Sequence, residues 1–172
     1  MDLNCHDITR RLAKKFNAEP KLLYAPAILD SKELHKLLLQ EKSIKETFEF
    51  FDRVTVALVG IGAMYPKIVS TLVKTGHINE EDFKSLKEHN AVGDVFSHFF
   101  DIDGKICDSS LKGRLVAMPV EVLLKVPYSI GVAGGRVKAE AILGALRGRY
   151  INILITDNTA AEKILKLSVR DT

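Results

Sequence analysis

The sequence contains no tryptophan, only two cysteines and no long apolar run among its 172 residues. Cys5 and Cys107 are too far apart to form the close pairs of a zinc site, and two cysteines argue against a disulfide framework, which fits a reducing compartment. No apolar stretch approaches the ~20 residues that cross a bilayer, and the first residues lack the apolar segment of a signal peptide. We therefore expect a cytoplasmic protein with no membrane partner.

The sequence also lacks a large excess of charge and any metal-binding spacing. Its formal net charge is +3, which is too small by itself to indicate binding to nucleic acid. The five histidines are scattered and match no zinc motif, so we predict no metal. The Walker A loop, the G-x-G-x-x-G fingerprint and the G-x-S-x-G elbow are absent, and we predict no cofactor.

What the sequence does have is an alternation of short apolar runs and amphipathic segments. Val54–Val59 and Tyr150–Thr156 are nearly continuous apolar runs, typical of strands covered on both faces in a parallel sheet. Ser129–Ala133 is a third predicted strand, and Lys21–Tyr24 is a short further one. This alternation predicts a three-layer α/β/α fold with a mostly parallel sheet, formed as one domain over residues 1–172.

Capping residues and apolar periodicity set the expected helices. Ser31, Asn79 and Asp157 are predicted N-caps, and Ser43 with Glu46 forms a capping-box pattern. The predicted helices cover residues 5–16, 31–39, 43–51, 79–89 and 137–146, with one that ends at residue 73 and a final one after residue 157.

The middle of the chain breaks this alternation. Between about Val92 and Val116 we predict an antiparallel excursion, because Asp103-Gly104 suits a tight hairpin turn between two β-rich runs.

Ligands of open α/β sheets bind beyond the carboxyl ends of the strands, where loops enter helices. Three loops of this kind follow the predicted strands, at residues 60–62, 134–138 and 156–159. In the second loop, Gly134 and Gly135 let the backbone approach an anion closely, and the next helix offers free N–H groups. Lys138 is a cation at a helix start, where an anion would offset it. The alternatives are an anion site or a simple tight turn with Lys138 in solvent.

The other candidates carry weaker signals. Gly60 and Gly62 could cradle part of a ligand or only pack a turn. Lys67 suggests a Schiff base with a sugar aldehyde, but an exposed helix lysine explains it better. Asp94 could accept hydrogen bonds from sugar hydroxyls or stand exposed at a strand start, and Asp157 is expected to cap its helix.

Two stretches resemble a known family. NAVGDVFSHFFDIDGKI, followed by VPYSIGVAGGRVKAEAILGALRGRYINILITDNTAAEKIL, is similar to the C-terminal sugar-binding domain of SorC-type transcriptional regulators. LYAPAIL, SIKETFEFFDRV and ALVGIGAM fit the same pattern in the same order.

The resemblance implies a fold related to glucosamine-6-phosphate deaminase and ribose-5-phosphate isomerase, and a phosphorylated sugar as effector. It places Gly134, Gly135 and Lys138 in a phosphate-holding loop, Asp94 against sugar hydroxyls and Asn4 near the ligand. It also implies that the first βα unit of the sensing domain and the DNA-binding segment are absent, so that operator DNA is reached only through that segment. We further expect a homo-oligomer.

We therefore predict an effector-sensing domain rather than an enzyme. The alternative is a sugar-phosphate isomerase or deaminase of the same fold, for which Asp94 is the only candidate base, without a partner acid. Direct DNA binding by this chain is a third hypothesis, but the sequence shows neither a helix-turn-helix nor a concentrated basic face.

Overall fold

The computed structural model describes residues 5–65, 67–74 and 76–169. The helices are α1 (Cys5–Phe16), α2 (Lys32–Leu38), α3 (Lys42–Glu49), α4 (Thr71–Lys74), α5 (Glu80–Glu88), α6 (Val120–Leu123), α7 (Ala139–Arg147) and α8 (Asn158–Ser168). The strands are β1 (Val56–Gly60), β2 (Gly62–Ala63), β3 (Gly93–Val95), β4 (His98–Phe100), β5 (Tyr128–Val132) and β6 (Ile153–Ile155), and two 3-10 turns span Phe51–Arg53 and Arg136–Lys138.

The described strands form two small sheets. One is parallel, with the order β1-β5-β6, and places Val56 opposite Tyr128 and Ile130 opposite Ile153. The other is antiparallel, with the order β2-β3-β4. The predicted α/β class, with a parallel sheet and an antiparallel excursion, is confirmed.

The turn inside the excursion differs from the prediction. The hairpin joins β3 to β4 through Phe96 and Ser97, which both adopt positive φ. Asp103-Gly104 does form a turn, closed by the Asp101 N–H donating to the Lys105 carbonyl (3.0 Å), but beyond it only Phe100 and Ile106 pair as an isolated bridge. The composition predicted the turn correctly, whereas the β-rich run before it already contains both strands.

The main core forms around α7. Ala139, Ala141, Ile142 and Ala145 are fully buried, and α7 packs against both α8 and β3. Small side chains on this helix let the backbones approach closely, so α7 holds the two sheets together. A second core cluster contains Met64, Ile78, Leu86, Ala91, Phe99 and Leu111.

The two faces of the parallel sheet are covered unequally. Along β1, Ala57 and Val59 are buried, whereas Val56 and Leu58 are each 53% exposed. The exposed face continues through β5 and β6 with the large apolar side chains Tyr128, Val132, Ile153 and Ile155. The prediction that these apolar runs are covered on both faces is therefore wrong for one face.

Most predicted helix starts are confirmed by hydrogen bonds. The Ser31 hydroxyl accepts from the Leu34 N–H (3.1 Å), and the Asn79 side chain accepts from the Asp82 N–H (2.8 Å). The capping box at Ser43 is wrong, because α3 begins one residue earlier, with Glu41 at the N-cap and no side-chain cap bond. The predicted strand at Lys21–Tyr24 is also wrong, since no described strand covers it.

Candidate functional site

The carboxyl ends of the three parallel strands bring the predicted loops together. β1 ends at Gly60, β5 at Val132 and β6 at Ile155, and because the strands are parallel these ends share one edge of the sheet. This edge is where an open α/β sheet binds its ligands.

Lys138 connects two of these loops. It ends the 3-10 turn before α7, is half-buried, and its Nζ donates to the carbonyl oxygen of Ile61 at 2.7 Å. Burial lowers the pKa of Lys138, the nearby charge of Asp94 opposes that effect, and the positive charge of Lys74 adds to it. The predicted cation at the helix start therefore points across the edge of the sheet rather than into bulk water.

Asp94 lies in the antiparallel sheet directly opposite Gly62 and is only 9% exposed. A Cβ atom at position 62 would lie 2.0 Å from Asp94 Oδ1, so glycine at this position makes room for the carboxylate. Burial raises the pKa of Asp94, and the Ser70 hydroxyl and the Lys138 charge oppose this rise only in part. The interpretation of Asp94 as an ordinary exposed strand residue is wrong.

Three buried polar atoms within the described part of the chain have no hydrogen-bond partner: Ser70 Oγ, Asp94 Oδ1 and Thr156 Oγ1. Asp94 and Ser70 are neighbours around Gly62, and Thr156 follows β6. Buried polar atoms in proteins are nearly always paired, so each exception calls for an explanation. Ser70 and Asp94 lie together beside β2, and Thr156 lies at the carboxyl end of β6, so these three atoms are candidates to bind polar groups of a ligand.

The Gly134–Gly135 loop has a different environment. Gly135 has φ +88°, a conformation that favours glycine, and its N–H donates to the carboxylate of Asp157. A Cβ atom at position 134 would lie 2.3 Å from Asp157 Oδ2. The next amides, of Arg136 and Val137, open the helical turn and have no carbonyl within it to bond.

Asp157 is the N-cap of α8, as predicted. Its Oδ1 accepts hydrogen bonds from the Thr159 hydroxyl (2.6 Å) and the Ala160 N–H (2.9 Å). These bonds, together with the one from Gly135, lower the pKa of Asp157.

The remaining candidates are Gly60, Lys67 and Asn4. Gly60 is exposed, and no atom lies within 4 Å of where its Cβ would be, so packing does not require glycine there. Lys67 is exposed, and Asn4 lies outside the described residues. No sequence pattern pointed to Ser70, whereas Thr156 begins the third predicted loop. The bond between Asp157 and Gly135 was missed as well, although both follow adjacent parallel strands.

Other features lie elsewhere. A cavity of about 510 Å³ is lined by residues that include His35, Phe48, His98 and Cys107, away from Lys138. Across the described ranges, no group of three or more His, Cys, Asp or Glu side chains could hold a metal ion. None of the helices in those ranges is both long and apolar enough to span a bilayer.

Residues 1–166 match the family model described as "Putative sugar-binding domain". The sorbitol operon regulator of Klebsiella pneumoniae is 35% identical over 159 residues, which cover 92% of this chain and 50% of that protein. The deoxyribonucleoside regulator of Bacillus subtilis is 33% identical over 153 residues, covering 89% of this chain and 48% of that protein. The chain thus spans about half the length of the curated relatives it matches.

Solved structures agree with these matches. The full-length sorbitol operon regulator SorC from Klebsiella pneumoniae has a TM-score of 0.85 at 33% identity, over 93% of this chain and 51% of that one. A transcriptional regulator from Streptococcus pneumoniae has a TM-score of 0.89 at 28% identity, over 98% of this chain and 65% of that one. The fold and the matches define a sugar-binding domain of transcriptional regulators. The chain belongs to this family, whose matched relatives include SorC and LsrR regulators.

Proposed function

We propose that the chain is the effector-sensing part of a bacterial regulator and binds a phosphorylated sugar at the carboxyl edge of its parallel sheet. The observation that carries this proposal is the pairing of a half-buried lysine, Lys138, with a buried carboxylate, Asp94, that has an unpartnered oxygen. One group suits a phosphate and the other suits hydroxyls.

The hydroxyl side of the ligand would lie against Asp94. A buried carboxylate oxygen gains a strong, charge-assisted hydrogen bond when a sugar hydroxyl donates to it, because the low local dielectric strengthens the interaction. Thr156 Oγ1 offers a further unpartnered oxygen. A sugar would therefore relieve part of the cost of burying these groups.

The phosphate side would lie against Lys138 and the amides that open the turn at Arg136–Lys138. The Lys138 ammonium already donates to the Ile61 carbonyl, so it lies between the loop that follows β1 and the loop that follows β5. A phosphate oxygen there would meet a full positive charge and the positive end of the α7 dipole.

Ligand binding at this edge would alter DNA binding by changing how the subunits are arranged. We propose that the domain works as a homo-oligomer, with operator DNA bound by a helix-turn-helix elsewhere in the regulator. A ligand shifts such an equilibrium by as much as its affinity differs between the two arrangements.

The test compares phosphorylated and unphosphorylated sugars by calorimetry. Lys138→Met is expected to weaken hexose phosphate binding at least about tenfold, and to change binding of the free hexose little, because one phosphate contact is charge-assisted. Lys84→Met, at an exposed lysine of α5, is the matched control. Equal losses for both ligands would remove Lys138 from the phosphate side.

The isomerase or deaminase alternative has its own test. Turnover of hexose or pentose phosphates by the wild-type chain, abolished by Asp94→Asn, would favour an enzyme that uses Asp94 as its base. The names of the matched relatives support a binding function instead.

A further inference from the structure

Asp157 already accepts the hydrogen bond from the Gly135 N–H, which the proposed anion loop would otherwise offer to a ligand. Its Oδ2 accepts the hydrogen bond from the Gly135 N–H, and Gly134 passes so close that a Cβ atom there would overlap the same oxygen. The carboxylate thus sits against the loop as a phosphate oxygen would. The loop is already bound to an anion of the chain itself.

The charge on this carboxylate is maintained by its own contacts. Hydrogen bonds from Thr159, Ala160 and Gly135 lower the pKa of Asp157, so it is ionised at neutral pH. A phosphate that approaches this loop therefore meets the repelling charge of Asp157 in addition to the attracting charge of Lys138.

We propose that Asp157 is an internal competitor that sets the charge selectivity and affinity of this loop. This inference rests on the proposed function. A ligand phosphate must take the Gly135 N–H from Asp157 or bind beside a like charge, so Asp157 weakens the binding of anions and leaves the contacts of the neutral sugar unaffected.

The hydrogen bonds allow this exchange without loss of the helix cap. Oδ1 carries the two bonds to the start of α8, and Oδ2 carries the bond to Gly135. Oδ2 can therefore release the loop while Oδ1 continues to cap the helix. Asp157 is exposed, so its displaced oxygen would be hydrated by water rather than left unpaired.

The test uses Asp157→Asn, which keeps an N-cap acceptor and removes the charge. Calorimetric titrations with fructose 6-phosphate and with fructose are run on the wild type and the variant. We expect the variant to bind fructose 6-phosphate roughly tenfold more tightly, the scale of one partly screened like-charge contact, with no change for fructose. Asp108→Asn, which removes another exposed carboxylate of lowered pKa, is the control for net charge.

A second readout reports on the loop directly. In a ¹H–¹⁵N spectrum, inorganic phosphate is expected to shift the Gly135 amide of the wild type strongly. In Asp157→Asn the same shift should be reached at lower phosphate concentration. If thermal unfolding shows that Asp157→Asn does not fold, Asp157→Ser is used instead, because serine retains a capping oxygen without charge.

The outcomes separate the two proposals. If the wild type binds fructose 6-phosphate and Asp157→Asn binds it equally tightly or more weakly, the role of Asp157 is overturned but the proposed function is not. If neither the wild type nor any variant binds fructose 6-phosphate, the proposed function is overturned. The proposed competition by Asp157 is then overturned as well.

Discussion

Two buried aspartates in this molecule have opposite surroundings. Asp82, in the first turn of α5, is 1% exposed and accepts hydrogen bonds from both terminal nitrogens of Arg114 (2.9 and 3.0 Å) and from the Ser110 hydroxyl (2.6 Å). Asp94, in β3, is 9% exposed and leaves Oδ1 without a partner among the described residues. Burial raises the pKa of both, but only at Asp82 do the partners outweigh it and lower the pKa.

The difference separates a carboxylate whose hydrogen bonds serve the fold from one that is a candidate for ligand binding. Asp82 joins α5 to the segment around Arg114, whose Nε also donates to the Leu29 carbonyl (2.7 Å), so its interactions are complete within the fold. The interactions of Asp94 are incomplete, and incomplete buried polar groups are a mark of functional sites. Substitutions at the two sites should therefore affect different quantities.

The largest effect is expected at the structural aspartate. Asp82→Ala should lower the free energy of unfolding by about 3–5 kcal/mol, because it leaves the Arg114 guanidinium buried without a counter-charge. Urea denaturation measures the loss, and the double variant Asp82→Ala with Arg114→Met should recover part of it. A loss below about 1 kcal/mol would mean that the pair behaves like a surface ion pair.

A substitution at Asp94 should separate stability from affinity. Asp94→Asn removes a buried charge and keeps the shape that Gly62 accommodates, so we expect stability to stay within about 1 kcal/mol of the wild type. Affinity for a sugar should fall about tenfold or more, because a charge-assisted acceptor is lost. Denaturation measures the stability of the variant, and calorimetry measures its affinity. A stability loss as large as that of Asp82→Ala would contradict the distinction between the two aspartates.

The dependence of stability on pH should have opposite signs at the two sites. The pKa of Asp82 is lowered in the folded state, so its contribution is present above the unfolded value of about 4 and is lost as pH falls through the folded value. The pKa of Asp94 is raised, so its stabilising contribution is complete below about pH 4 and is lost as pH rises through its folded value. In denaturation curves from pH 3 to 7, the stability gain of Asp94→Asn over the wild type should therefore grow with pH, and the loss of Asp82→Asn should shrink at the acid end.

The smallest effects are expected at two serines, the partly buried Ser110 and the buried Ser70. Ser110→Ala removes a donor to the Asp82 carboxylate and should cost about 1–2 kcal/mol. Ser70→Ala removes a hydroxyl without a hydrogen-bond partner and should change stability by less than about 0.5 kcal/mol. Equal costs for both serines would contradict the distinction.

The sequence pointed to Asp94 and Lys138 as candidates through signals that are local. Lys138 was conspicuous as a cation at a helix start, and Asp94 followed a glycine at the beginning of a β-rich run. The pairing of Asp82 with Arg114 spans 32 residues and depends on how α5 docks, which no local pattern encodes. For the same reason Ser70 was missed, since its burial beside Asp94 follows from the packing of β2 against β3.

The faces of the parallel sheet show a second limit of sequence reasoning. The run VTVALV predicted a strand correctly, and β1 covers its last four residues and Gly60. A nearly continuous apolar run indicates that both faces of the strand can be buried, but it cannot show what covers each of them. Val56 and Leu58 remain exposed among the described residues, whereas Ala57 and Val59 are buried.

Helix α7 connects the candidate site to a second set of contacts at its far end. It starts immediately after Lys138, and nine residues later, about 14 Å along its axis, Arg147 donates to the Ile102 carbonyl (3.1 Å). Beyond that end, the Tyr150 hydroxyl donates to the Gly104 carbonyl. The turn that carries Ile102 and Gly104 leads back through β4 to Asp94. Lys138 and Asp94 thus lie on two segments that these bonds join at one end and that pack against each other between α7 and β3, so the fold itself fixes the relative position of the ammonium and the carboxylate.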